Sequence, residues 1–301
     1  MTTTPCKAPF PWFGGKSTVA ALVWKRFGNV PNYVEPFFGS GAVLLGRVNW
    51  ETAKYETVND KDCYIANFWR AIQKDPEEVA RYADWPINEV DLYARHLWLV
   101  KQRETLRSNL ESGPEWYDPK IAGWWVWGIC RWIGSGWCVN DKSSRKLPYL
   151  NCDRGVSQKR DMSTWLETLA VRLRRVRVCC GDWIRVLSPA VTFLCANPTA
   201  IFLDPPYPQE ERNTKLYQED SPRLFDDVAT WAIEHGDNSQ LRIALCGYEG
   251  TFDMPKGWTE VAWKANGGYG HQNREGNDNR FRERVWFSPH CLKVQQLCMT
   301  I

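Results

Sequence analysis

Apolar and polar positions along the chain switch between two periods. A helical period runs from Ser17, read as its cap, to about Phe27. Tyr33–Glu35 predicts a short strand, followed by a glycine turn and a helix from about Ala42. Tyr55–Val58 predicts a second strand, with a helix opening near Asp62. Helical spacing then dominates from Pro76 to about Leu110. Strands resume at Val176–Cys179, Thr199–Leu203, Leu241–Leu245, Trp258–Trp263 and Arg284–Phe287. Strand–helix alternation at both ends predicts an α/β sheet. The expected division is residues 1–74 and 178–301 for one sheet domain, split by a mainly helical insertion over residues 75–177. Gly267–Arg280 reads as a flexible loop by composition.

Composition narrows the class. The 301 residues are 44% hydrophobic and 24% charged, with mean hydropathy −0.48. Those values exclude a disordered chain, a collagen and a multispanning membrane protein. Ile121–Asn140 comes nearest to a membrane span, but Arg131 and several glycines interrupt it. The first seven residues lack the apolar core of a signal peptide. Eleven cysteines show no C-x-x-C pair or matching histidines, so no metal site is expected. Reduced thiols in a cytoplasm are the simplest reading.

Net charge is only +3, yet the segment Lys142–Arg177 carries ten Lys or Arg against three acids. Lys142, Arg145, Lys146, Arg154, Lys159 and Arg160 make its first half a footprint for a phosphate backbone. Just before it lies an aromatic cluster from Trp116 to Trp137, most of it expected to be core.

Val34-Glu35-Pro36-Phe37-Phe38-Gly39-Ser40-Gly41 reads as strand, tight turn, helix. Asp60 ends the next strand, at the spacing where an acid takes ribose hydroxyls in dinucleotide folds. Leu44 occupies the third glycine position, which disfavours a pyrophosphate cofactor. Gly14-Gly15-Lys16-Ser17 ends like a phosphate loop, but Phe10 stands where its first glycine belongs. What survives is a turn that positions Lys16.

Ile201–Leu203 is an apolar run ending in Asp204-Pro205-Pro206-Tyr207. Such a rim suits an exocyclic aryl amine, whose lone pair is delocalised into its ring. The Asp204 carboxylate and the Pro205 carbonyl can each accept one amino hydrogen. The prolines fix φ, which holds the acceptors in place beforehand. Tyr207 can stack on the ring.

With Trp12-Phe13-Gly14-Gly15-Lys16, the glycine turn, Asn59-Asp60 and Asp204–Tyr207 in this order, the chain resembles the Dam-type DNA adenine-N6 methyltransferases. The resemblance implies a Rossmann-like methyltransferase sheet with an inserted target-recognition domain. It also implies S-adenosyl-L-methionine as methyl donor, held by Trp12, Gly15, Lys16, Glu35, Phe37, Gly39, Gly41, Asp60 and Asp204. Cys180-Gly181-Asp182-Trp183 resembles the segment that borders the cofactor, which adds Asp182. Gly128–Trp132 resembles a recognition stretch that makes Arg131 a DNA contact, with Trp127 and Ile133 standing where the family has asparagines. The Trp-rich insertion is similar to phage-borne members, a setting that includes restriction-modification.

The implied partner is double-stranded DNA, with a flipped adenine as substrate, and no membrane, no metal and a monomer as the simplest state. RNA as the polymer, or a non-catalytic DNA-binding decoy with the same fold, are the competing readings.

Overall fold

Seven strands form one sheet because their apolar residues alternate between two buried faces. Phe202 of the fourth strand packs on one side, and Ile201 and Leu203 on the other. The computed structural model describes residues 5–12, 14–142, 144–158, 161–195, 198–207, 223–264 and 279–293. Its strands are β1 (Asn32–Glu35), β2 (Tyr55–Asp60), β3 (Val176–Cys180), β4 (Thr199–Leu203), β5 (Leu241–Tyr248), β6 (Thr259–Ala262) and β7 (Glu283–Phe287). They lie in the order β3-β2-β1-β4-β5-β7-β6. The first five are parallel, and β7 runs antiparallel to both β5 and β6. This α/β architecture is consistent with a Rossmann-like methyltransferase fold.

The helices are α1 (Ala20–Phe27), α2 (Ala42–Leu45), α3 (Cys63–Lys74), α4 (Pro76–Ala83), α5 (Glu89–Ser112), α6 (Pro119–Arg131), α7 (Met162–Leu173), α8 (Pro189–Thr192) and α9 (Leu224–His235). The expected cap at Ser17 is not formed. Residues 16–19 make a turn instead, with Lys16 O accepting from Val19 N and Ala20 N at 3.1 and 2.9 Å, and α1 starts at Ala20. The helical run expected from Pro76 to Leu110 is two helices. Pro86 interrupts it, and Asn88 caps α5 by accepting from Asp91 N. Asp62 caps α3 as the sequence suggests. Most of Gly267–Arg280 lies outside the described residues; Asn279 and Arg280 open a short helix ending at Arg282.

The helices divide unequally. α8 and α9 cover one face of the sheet with Val34, Ile201 and Ile243. The other face carries α1 and α3, and onto α3 pack α4, α5, α6 and α7 of the 75–177 segment. The seam is aromatic. The Phe10 ring meets Trp125 of α6 edge-on at 4.9 Å and Phe68 of α3 at 5.4 Å.

A buried charge cluster fixes α7 to the sheet. Arg172 of α7 binds Glu56 of β2 through two nitrogens, at 2.7 and 3.0 Å, and Arg47 binds the same carboxylate at 3.0 Å. Arg172→Ala strips the bidentate partner from a buried glutamate, which costs about 3 kcal/mol. Chemical denaturation checks this; a loss below about 0.5 kcal/mol, the range of an ordinary surface change, contradicts the clamp.

Candidate active site

The strand order reverses between β1 and β4, and the carboxyl ends of these two strands flank that point. A cleft of about 330 Å³ opens there. The antiparallel direction of β7 brings its first residue, Glu283, to the same edge.

The glycine turn after β1 is clamped from two sides. Gly39 N donates to Asp60 Oδ2 at 2.9 Å, and Trp69 Nε1 donates to Gly39 O at 3.0 Å. Gly39 has φ +47°, and a Cβ there would lie 2.5 Å from the Trp12 ring. Trp12 therefore closes over the turn only because position 39 carries no side chain. Gly39 N is spent on Asp60, and the helix α2 that follows is only four residues long. Gly41 is absent from the cleft's lining; with φ +68° it supports the turn against Phe38 and Trp69.

Asp60 holds the adjoining loops as well, its Oδ1 accepting from Asp62 N at 2.9 Å. Asn59 staples the neighbouring ends by donating to Pro36 O and Gly181 O at 3.1 and 3.0 Å. Asp182 lines the cleft and caps the turn Trp183–Leu187 through Ile184 N. Phe37 stacks on Trp183 at 6.1 Å between centroids, and both line the cleft.

The opposite wall is charged and buried. Lys16 Nζ sits 2.9 Å from Asp204 Oδ1 and donates to Gly14 O at 2.9 Å. It also approaches the Tyr207 hydroxyl at 3.4 Å. Tyr207 donates to Glu283 Oε2 at 2.8 Å. Burial would lower the Lys16 ammonium, but the Asp204 and Glu283 charges outweigh it and raise its pKa. Burial raises the Asp204 carboxyl, with Lys16 pulling it back down. Burial likewise lifts Glu283, and lifts Glu35 far more. Glu35 accepts from the Tyr33 hydroxyl at 2.8 Å.

The structure brings Trp12, Gly15, Lys16, Glu35, Phe37, Gly39, Asp60, Asp182, Asp204, Pro205, Pro206 and Tyr207 into one cleft. Trp183, from the segment expected to border the cofactor, lines it as well; Glu283 and Tyr248 line it too and were not anticipated. Only the topology reveals Glu283, since its local sequence reads as an ordinary strand start. Among the described residues no group of three or more potential metal ligands exists, and no helix is long and apolar enough to cross a membrane.

The basic segment is not one stripe. Arg131 is 6% exposed and donates to Tyr149 O and Asn151 O at 3.1 and 3.2 Å, so its guanidinium braces a loop. Lys146 is spent on Ile133 O and Ser135 O at 3.0 and 3.2 Å. Arg154 stacks on the Tyr149 ring, and Arg145 lies 3.9 Å from Glu89. Lys142 and Arg145 are exposed, just beyond a loop whose Gly134, Gly136, Trp137 and Val139 line the cleft. Arg172 is buried, and Arg174, Arg175 and Arg177 sit around the amino end of β3, away from the cleft. Lys159 and Arg160 lie outside the described residues.

Residues 12–105 match the family model of the D12 class N6 adenine-specific DNA methyltransferases. The match bears out the Dam-type resemblance and supports an enzyme of this kind, one that methylates adenine in DNA at N6. It spans Trp12, Lys16, the Gly39 turn and Asp60, and stops before Asp204. No curated protein matches the chain.

The Lys16–Asp204 pair carries a pH prediction. Lys16 holds the Asp204 carboxyl below the value burial alone would set. Lys16→Met therefore raises that carboxyl further, and the titration of Asp204, followed by the NMR shift of its carboxyl carbon, moves to higher pH. An unmoved titration contradicts the coupling.

Proposed function

We propose that the cleft binds S-adenosyl-L-methionine beside an adenine extruded from duplex DNA, and that Asp204–Tyr207 prepares the adenine amino group for methylation. Three observations support the cofactor. Apart from Glu35, which burial pushes toward its neutral form, six acidic side chains against three basic groups line the cleft, which suits a ligand with a sulfonium and an ammonium. Position 39 has the close approach of Trp12 in place of a side chain. Asp60 stands at the end of β2, where an acid can take ribose hydroxyls. Trp12, Lys16, Glu35, Phe37, Gly39, Asp60 and Asp182 would hold the cofactor, which supplies an electrophilic methyl group when bound.

The protein's own work is positioning and charge. Asp204 and the Pro205 carbonyl accept the two amino hydrogens, which draws the nitrogen toward tetrahedral geometry. Pro205 and Pro206 keep those acceptors rigid. Lys16 pulls the Asp204 carboxyl down against the rise that burial causes, which favours its ionised form. Tyr207, held edge-on to Tyr248 at 4.5 Å, offers a face for the purine. The single observation that carries this reading is the placement of Asp204 in a cleft at the sheet's switch point, open enough to take a ligand.

The 75–177 segment is the target-recognition part in this reading, with Lys142, Arg145 and Arg154 binding phosphates near the cleft. A monomer acting in a cytoplasm, carried by a phage or within a restriction-modification system, completes it.

Two outcomes test it. Asp204→Ala abolishes DNA methylation while leaving the unfolding midpoint near that of the wild type; turnover within about threefold of wild type refutes the assignment, because a removed acceptor of this kind costs about a hundredfold or more. Reversing Lys142 and Arg145 to glutamate flattens the dependence of DNA affinity on salt, by a log–log slope of about 0.9 for each phosphate that the protein no longer neutralises. An unchanged slope in a salt titration removes these residues from the interface.

A further inference from the structure

The Tyr207 hydroxyl has one proton and two carboxylates within reach. It lies 2.8 Å from Glu283 Oε2 and 3.5 Å from Asp204 Oδ1. The first is an ordinary O–H···O distance and the second is not, so the proton points to Glu283. The hydroxyl stays protonated, since burial foremost and the Glu283 charge next push its pKa well above the usual value. Glu283 is itself fixed: it is 4% exposed and pairs with Tyr248 in the β5–β7 ladder. Packing sets the ring's tilt, edge-on to Phe225 at 5.8 Å and to Tyr248 at 4.5 Å, but rings alone leave the hydroxyl proton free to turn.

We infer that Glu283 is a positioning residue that takes the Tyr207 proton and so keeps Asp204 an acceptor for the substrate's amino group. The inference rests on the adenine-methylation reading. Without Glu283, Tyr207 turns its proton to Asp204 Oδ1, already engaged by Lys16, and competes with the amine for the same carboxylate. Glu283 touches neither reacting atom in this account; it acts through Tyr207.

The test is a cycle on the full-length protein, using genomic DNA free of methyladenine and saturating methyl donor. E283A is expected to lower kcat about tenfold while KM for DNA stays within about threefold, the cost of one misdirected hydrogen bond. E283Q recovers most of the rate, because its amide oxygen still accepts from Tyr207. In a Y207F background, E283A adds no further loss. A loss that is equally large in Y207F, or an E283Q rate as low as that of E283A, overturns the inference. Thermal unfolding supplies a second cycle that needs no activity: the E283A and Y207F shifts in midpoint are predicted to be non-additive, and additive shifts overturn the pairing. Wild-type protein that leaves adenine unmethylated refutes the reading beneath, while the unfolding cycle still judges the pairing.

Discussion

One largely buried ion pair joins the N-terminal turn of this chain to the end of β4, at the rim of the cleft. Lys16 comes from the first turn and Asp204 from the end of β4, and their charged atoms lie 2.9 Å apart. A carboxylate taken out of water alone tends to take up a proton. Lys16 opposes that, and its own three donors are all directed: one to Asp204, one to Gly14 O and one toward the Tyr207 hydroxyl. Tyr207 extends the chain of hydrogen bonds to Glu283, so one cation, one phenol and two carboxylates form a connected wall. The neighbouring Glu35 lines the same cleft, its carboxyl pushed by burial toward the neutral form. The wall attracts a cation and presents acceptors, the combination that methyl transfer to an amine requires.

The rest of the fold keeps that wall open and its opposite wall narrow. Asn59 and Asp60 tie together the carboxyl ends of β1, β2 and β3, and Trp12 reaches across the Gly39 turn. The helices of the 75–177 segment share a core with α3 and the sheet through Phe10, Phe68, Trp69 and Trp125. Glu56 adds a charged lock between α7 and β2. The loop that overhangs the cleft and leads to Lys142 and Arg145 is therefore carried on a rigid support.

Much of this was legible because short motifs encode local geometry. A strand ending in Asp-Pro-Pro-Tyr, and a turn at Gly39 with Asp60 21 residues on, are statements about backbone shape that hold before any tertiary structure forms. β4 falls at its expected residues, Thr199–Leu203. Features set by residues distant in sequence were not legible. Glu283 joins the site only because β7 runs antiparallel and delivers its first residue to the edge. The family resemblance implies a DNA contact at Arg131, yet folding turns it inward onto the carbonyls of Tyr149 and Asn151. The basic run divides for the same reason, as Arg172 is consumed by Glu56 and Lys146 by a loop. A charge count records how many cations a segment has and carries nothing about which of them face water.

The most direct test of the account identifies the atom that receives the methyl group. The full-length protein is incubated with methyl-labelled S-adenosylmethionine and unmethylated duplex DNA, and the DNA is digested to nucleosides for mass spectrometry. The account predicts label in N6-methyl-2′-deoxyadenosine. Label confined to a cytosine derivative, or none in DNA while the same preparation methylates RNA, contradicts it.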